Sequence, residues 1–180
     1  MIKPVTPGAT VAYVSCYDPA VDWEAIIDAT IEKNKDLGKV KDANDRRARA
    51  RTVFVAEYMA AAVRNPAAWR EMLKFKNGES PTEFTLGALS SDDAVRMADE
   101  CGASSGKLKP QELQWRAFLG ACRDIRNWPT DVPKVRKGEI EIVDASWLRN
   151  NFVLGLRAIA LDVGSVAWMW NQFSEDDIKN

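Results

Sequence analysis

Histidine is absent from this chain of 180 residues. Without an imidazole, the chain cannot form a Ser-His-Asp or Cys-His catalytic relay, a zinc site with histidine ligands or a histidine-based pH switch. Catalysis at neutral pH would therefore depend on carboxylate, lysine, tyrosine or thiol groups. The composition, with 46% hydrophobic and 28% charged residues, is that of an ordinary globular domain with enough apolar material for one buried core.

Cysteine is scarce as well. Cys16, Cys101 and Cys122 are an odd number without a C-x-x-C pair, which favours free thiols in a reducing compartment over a disulfide framework. The same spacing offers no metal–thiolate site. We therefore expect neither a bound metal nor another cofactor.

Neither sign of charge predominates. The chain has 25 lysines and arginines against 26 aspartates and glutamates, a net charge of -1, so nothing attracts it as a whole to nucleic acid or to an anionic membrane. It also lacks a run of the roughly 20 apolar residues that span a bilayer, and its first residues lack the apolar segment of a secretion signal. These absences predict a soluble cytoplasmic protein without a membrane partner.

Short strands and amphipathic helices follow one another irregularly. An extended arm with Pro4 and Pro7 comes first, and β-branched or aromatic residues predict strands at 9–16, 84–86 and 139–143. Apolar residues at helical spacing predict six or seven helices, within 22–38, 41–64, 67–75, 91–101, 110–125, 147–159 and 162–173. Residues 134–138 are predicted to form a basic turn. Because the strands make no regular β-α-β units, the pattern favours one domain, 1–180, mainly α with a small β patch (an α+β fold).

Seven tryptophans are many for this length. Such residues usually lie in a core, but a cluster that stays exposed marks a protein interface. Trp147, Trp168 and Trp170 belong to an aromatic C-terminal stretch that forms either a docking surface or a seam of the core. On one helix Trp168 and Trp170 point about 200 degrees apart. Either one of them meets a second surface, or the helix lies between two layers.

The densest run of charge lies at 33–51, where eight lysines and arginines are interrupted by three aspartates. On a helix Arg47 and Arg51 are one turn apart, as are Arg46 and Arg49, so two stripes could meet phosphates or the carboxylates of a partner. A solvated helix face is the simpler interpretation. No aromatic residue interleaves with the arginines, which disfavours stacking on a single strand, and docking on another protein's carboxylates is at least as well supported.

Carboxylates are grouped locally, at 92–100 and at 175–177. Acid–base pairs and metal sites need carboxylates that converge from separate elements, whereas helix capping explains the first group and a solvated terminus the second. The glycine loops G-x-x-x-x-G-K and G-x-G-x-x-G, which hold phosphates, do not occur. The sequence therefore predicts a protein that is not an enzyme.

Segments at 4–15, 81–89, 161–163 and 174–180 together resemble small proteins encoded in the structural gene clusters of tailed bacteriophages. The pattern is an extended start P-x-A-T-x-x-Y-V, a strand F-x-L-G-x-L, and a closing helix with an acidic tail that ends in lysine and asparagine. Residues 20–78 depart from it as a helical basic insertion before a strand-helix body at 79–180. The resemblance implies a tail-assembly or head-to-tail accessory role without catalytic residues.

Two functional hypotheses follow. The first is a non-enzymatic phage structural or assembly protein that acts by protein–protein contacts in virion morphogenesis, with phage structural proteins or its own copies as partners. It would stay in the host cytoplasm or be incorporated in the virion. The second is a small regulator or inhibitor that binds a host protein or nucleic acid through the basic helix 41–51.

Overall fold

The computed structural model describes residues 8–152 and 156–176 of the chain. The predicted arm at 4–7 and the end of the predicted acidic tail, 177–180, lie outside these residues. The fold is α+β, as predicted. Within the described residues the elements are, in chain order, β1 (Thr10–Tyr13), α1 (Trp23–Lys33), α2 (Lys35–Gly38), α3 (Ala43–Arg64), a 3-10 turn (Pro66–Ala68), α4 (Trp69–Met72), β2 (Glu83–Gly87), α5 (Ser91–Glu100), α6 (Pro110–Ala121), β3 (Cys122–Arg126), β4 (Lys134–Lys137), β5 (Ile140–Val143), α7 (Ala145–Phe152) and α8 (Arg157–Asp176).

Polar side chains begin the helices where the sequence places them. The side chains of Asp42, Ser90 and Asp144 accept hydrogen bonds from backbone amides in the first turns of α3, α5 and α7, as expected of N-cap residues. The predicted helix 22–38 is interrupted, because the Asn34 side chain accepts from the amides of the next turn and starts α2. The predicted boundary near 160–161 is wrong, since α8 runs through it.

Three antiparallel strands form the main sheet in the order β1-β2-β3. Tyr13 lies opposite Phe84, and Phe84 lies opposite Ile125. The sequence predicts that the helix from Pro110 continues through 125 to the break at 128–129, and that is wrong, because α6 stops at Ala121. Residues Cys122–Arg126 form β3 instead and pair with β2, with a register shift between Thr85 and Leu86. Apolar residues at Cys122 and Ile125 fit a helix by spacing, but pairing with β2 satisfies the backbone of this segment instead.

The predicted basic turn at 134–138 is also wrong. Residues Lys134–Lys137 are strand β4, which pairs antiparallel with β5 and places Lys137 opposite Ile140. The turn itself is Gly138-Glu139, where Gly138 has φ 66°. A two-residue hairpin turn with glycine first is the type that suits the twist of the flanking strands.

The core lies between the sheet and the crossing of α6 with α8. Ala117, Ala121 and Ala160 are fully buried, and a Cβ on Gly164 would lie 1.8 Å from the carbonyl oxygen of Gln114. Small residues therefore set the distance between the two helices. The rings of Phe84, Phe118 and Phe152 fill the space beside this crossing, with centroids 5.2 to 6.0 Å apart.

Residues 20–78 share this core. Val21 and Phe75 form a bridge between the two ends of the block, while Phe54 and Tyr58 of α3 belong to the same buried cluster as the sheet and α8. The block is therefore closed at its base and packed on the remainder of the chain. Its origin as an insertion stays a prediction.

Candidate interaction surfaces

The four arginines that the sequence singles out lie on α3, and three of them have partners within the chain. Arg47 forms ion pairs with Glu24 and Asp28 of α1, and Arg49 pairs with the Asp45 carboxylate at 2.9 Å. The guanidinium of Arg51 lies 4.4 Å from the ring centre of Trp23, a cation–π contact.

The fourth arginine, Arg46, is half-buried and lines an open cavity of about 360 Å³ together with Asp28, Glu32 and Arg47. Carboxylates of α1 thus face the basic helix, and a phosphate would have to compete with them. Binding of a host protein or nucleic acid through 41–51 stays a prediction.

The three predicted tryptophans are half-buried. The Trp147 ring lies 5.7 Å from that of Trp128 and 6.5 Å from that of Phe152, and Trp147 and Trp170 pack against the main core. Trp168 lies on α8 with Trp170. Trp147 and Trp170 thus contact the core and remain half-buried. Binding of a partner by Trp147, Trp168 or Trp170 stays a prediction.

A different surface carries exposed apolar side chains. In the β4–β5 hairpin, Val135 is 40% and Ile140 is 45% exposed. By the alternation of side chains along strands, Val135, Lys137, Ile140 and Ile142 share one face of the hairpin. The opposite face holds Val143, which is fully buried. We call the exposed residues of Lys134–Lys137 and Ile140–Val143 the hairpin surface. The hairpin is anchored in the core through Val143, and its other face is open.

The hairpin surface also contains basic groups. Lys134 and Lys137 contact carboxylates of neighbouring elements, Asp124 at 2.8 Å and Asp93 at 3.9 Å, while the Arg136 Nε donates to the carbonyl of Gly138 at 3.2 Å. Among the described residues no ion pair involves Arg136. The strand β4 thus presents three basic side chains and one valine, all exposed.

Sequence reasoning missed β4, although a signal was present. The segment 134–143, Lys-Val-Arg-Lys-Gly-Glu-Ile-Glu-Ile-Val, has alternating character on both sides of a two-residue turn with glycine first. This is a hairpin pattern. The prediction of a turn at 134–138 instead followed from the basic residues of this segment and its final glycine.

A buried polar network was missed as well. The hydroxyls of Tyr13 and Ser15 both donate to Asp162 Oδ2, at 2.7 and 2.6 Å, and the Tyr58 hydroxyl donates to the carbonyl oxygen of Val14. Asp162 is 6% exposed, and Tyr13, Ser15 and Tyr58 are fully buried. An aspartate inside the apolar run 159–163 was the available signal.

Burial governs the electrostatics of this network. Loss of hydration raises the pKa of Asp162 to about 6, although hydrogen bonds from Ser15, Tyr13 and the Cys16 backbone lower it. Burial and the nearby Asp162 charge also raise the pKa values of Tyr13 and Tyr58. Because these buried groups have hydrogen-bond partners within the protein, the network links β1, α3 and α8 and has a structural role.

All three cysteines are free and buried. Burial raises the pKa of Cys122 to about 12 and raises the pKa of Cys16 further, so both thiols stay protonated at neutral pH. Thiolate is the reactive form of cysteine. These sulfur atoms therefore pack as small apolar groups.

One further concavity lies between α1, α3 and α4, with a volume of about 400 Å³. Its floor includes Ile26 and Phe54, and its rim mixes lysines with glutamates, including the Lys33–Glu57 pair at 3.8 Å. The rim has no single sign of charge. In the part of the chain that the structure covers, we find neither a group of three potential metal ligands nor a helix of the length and apolarity that a bilayer crossing needs.

Comparisons with known proteins add no relative. No protein-family model, curated protein or solved structure matches this chain.

Proposed function

We propose that this chain is a non-enzymatic structural or assembly protein of a tailed bacteriophage, which acts through protein–protein contacts in head or tail morphogenesis. The motif pattern of the sequence supports the phage setting. The observation that carries the contact function is the hairpin surface, where Val135 and Ile140 are 40% and 45% exposed on a hairpin whose Val143 is fully buried. Exposed apolar side chains with a polar border are typical of interaction sites.

The hairpin surface suits a docking role because it is held in place before a partner arrives. Val143 is fully buried, Lys134 is tied to Asp124 of β3, and the Asp144 amide donates to the Pro133 carbonyl at 2.9 Å. A surface that is already ordered loses little conformational freedom on binding. The host cytoplasm and the virion are the proposed locations, with phage structural proteins as partners.

The test is association with phage structural proteins in infected cells. Affinity purification of the tagged chain, with mass spectrometry of the eluate and of purified particles, should recover capsid, portal or tail proteins. Presence in particles indicates a virion component, and presence only in the eluate indicates a transient assembly factor. Recovery of no structural protein in either sample would refute the proposal.

Surface variants connect the association to the hairpin. The double variant Val135→Asp with Ile140→Asp places charge on the exposed apolar side chains and should abolish the recovery. Leu108→Asp is the matched control, because Leu108 is 46% exposed outside the hairpin. Equal recovery with both variants would remove the hairpin surface from the proposal.

A further inference from the structure

We propose that β4 accepts an extended acidic segment of a partner protein as an added strand. This inference rests on the proposed function, since it specifies the partner's chemistry at the hairpin surface. It is carried by the backbone of β4, by its charge and by the order of its side chains. Strand addition to an open sheet edge is an established mode of peptide recognition.

The backbone groups of residues 134 and 136 point away from β5. The Asp144 amide donates to the Pro133 carbonyl, and bonded and non-bonded pairs alternate along antiparallel strands. In the register of the hairpin the next bonded pairs are 135/142 and 137/140. The N–H and C=O groups of 134 and 136 therefore lie on the outer edge, where the described residues supply no neighbouring strand.

The charge of β4 selects the occupant. Three of its four residues are basic and all four are exposed. Lys134 and Lys137 also contact Asp124 and Asp93, whereas Arg136 forms no ion pair with the described residues. A second copy of this chain that paired through β4 would bring lysines and arginines opposite one another, and like charges directly opposite destabilise a strand pair. An acidic strand would replace this repulsion with attraction between opposite charges. The basic residues of β4 therefore disfavour a second copy and favour an acidic partner.

The side-chain order of β4 gives the expected pattern of the partner. Opposite Lys137, Arg136, Val135 and Lys134, an antiparallel strand would carry acidic, acidic, apolar and acidic residues. The apolar residue would cover Val135, whose side chain is 40% exposed. The corresponding probe is the peptide Thr-Thr-Glu-Glu-Val-Glu-Thr-Thr with a fluorescent label.

Binding of this peptide to the full chain is measured by fluorescence anisotropy. The acidic peptide should bind at least about tenfold more tightly than its counterpart with lysine in place of glutamate, and backbone amide exchange at 134 and 136 should slow on binding. Similar affinity of the two peptides, or binding without slower exchange at these amides, would overturn strand addition.

Two variants separate backbone pairing from charge. Arg136→Pro removes an outward amide without removing a hydrogen bond to β5, since proline is tolerated at edge positions of this kind, and should abolish peptide binding. Arg136→Glu should weaken binding about tenfold, whereas Lys41→Glu, an equal charge reversal at an exposed residue between α2 and α3, should not. Unchanged binding by the Arg136 variants would refute the proposal.

A modified peptide covers the case in which Arg136→Pro does not fold. Methylation of the peptide's backbone nitrogens opposite residues 134 and 136 removes the N–H donors that would face β4, puts methyl groups in the way of the pairing and leaves the charge unchanged, so retained affinity would overturn strand addition. Self-association of the chain through β4, seen by sedimentation and lost in Arg136→Glu, would assign the edge to a second copy and overturn the acidic partner. Peptide binding without recovery of phage proteins in cells would refute the phage role alone, and the reverse would refute strand addition alone.

Discussion

Replacing Asp162 with asparagine should remove a pH dependence of stability that comes from one buried carboxylate. The pKa of Asp162 is about 6, against 3.8 for an ordinary aspartate, because burial disfavours the charged form. One pKa unit corresponds to about 1.4 kcal/mol. Holding the charged form at neutral pH therefore lowers the free energy of unfolding by about 3 kcal/mol.

The sign follows from the two pKa values. The folded value lies above the unfolded value, so the folded chain holds the proton more tightly than the unfolded chain does. The stability from the neutral carboxyl group is fully present below pH 3.8 and is lost as the pH rises through about 6. About 2 kcal/mol of the loss falls between about pH 4 and pH 8.

Urea unfolding followed by tryptophan fluorescence measures this loss. The free energy of unfolding of the wild-type chain minus that of Asp162→Asn should fall as the pH rises, while contributions of other carboxylates cancel. Tyr13→Phe should move the midpoint upward, since the Tyr13 hydrogen bond lowers the Asp162 pKa. Tyr58→Phe is the matched control, because its hydroxyl donates to Val14 instead. A difference that is constant or rises with pH would refute the reasoning.

Three further changes test the fold. Gly164→Ala should lower the free energy of unfolding by about 2 kcal/mol, because a Cβ would lie 1.8 Å from the Gln114 carbonyl oxygen. Gly38→Ala is the control and should leave stability unchanged, since nothing lies within 4 Å of its Cβ. Equal thermal unfolding of the two variants would contradict the close helix crossing. Ser90→Ala should cost about 1 kcal/mol in urea unfolding through loss of the α5 cap, and an unchanged midpoint would count against this cap. Cys122 should react with a thiol reagent only after denaturation, because it is buried and protonated. Rapid labelling of Cys122 itself in the native chain, located by mass spectrometry, would disprove its burial.

Local rules predicted the parts of the fold that local interactions decide. Ser90 caps the helix that holds the carboxylate group at 92–100, because a side-chain oxygen close in sequence satisfies free amides. Strand β1 was predicted from its β-branched residues at 9–16 and is found at Thr10–Tyr13. The α+β class follows from such elements and needs no knowledge of how they pack.

The wrong predictions concern residues whose structure depends on segments that are distant in sequence. Residues Cys122–Arg126 have apolar spacing that fits a helix, and only the neighbouring β2 makes them a strand. The arginines of 46–51 form a basic stripe in the sequence, but α1 brings Glu24 and Asp28 to Arg47. A pattern within one segment cannot show which charges another segment supplies.

The candidate site was harder to predict than the fold. Val135 is exposed because no other element packs over it, and this depends on the tertiary arrangement of the described residues and not on the sequence of β4 alone. The tryptophans pointed to the C-terminal helices, yet Trp147 and Trp170 lie against the core. Large aromatic residues mark buried area more reliably than they mark a docking surface.

The contacts of β1 also set the order in which the chain can mature during synthesis. Tyr13 lies opposite Phe84 in the sheet, and its hydroxyl donates to Asp162, 149 positions later. Ribosomes release a chain from its N-terminus, so the first strand emerges long before its last partner exists. The helices α1 and α3 are close in sequence and can pack together early in synthesis. The hydroxyls of Tyr13 and Ser15 can bind the Asp162 carboxylate only after α8 has been synthesised.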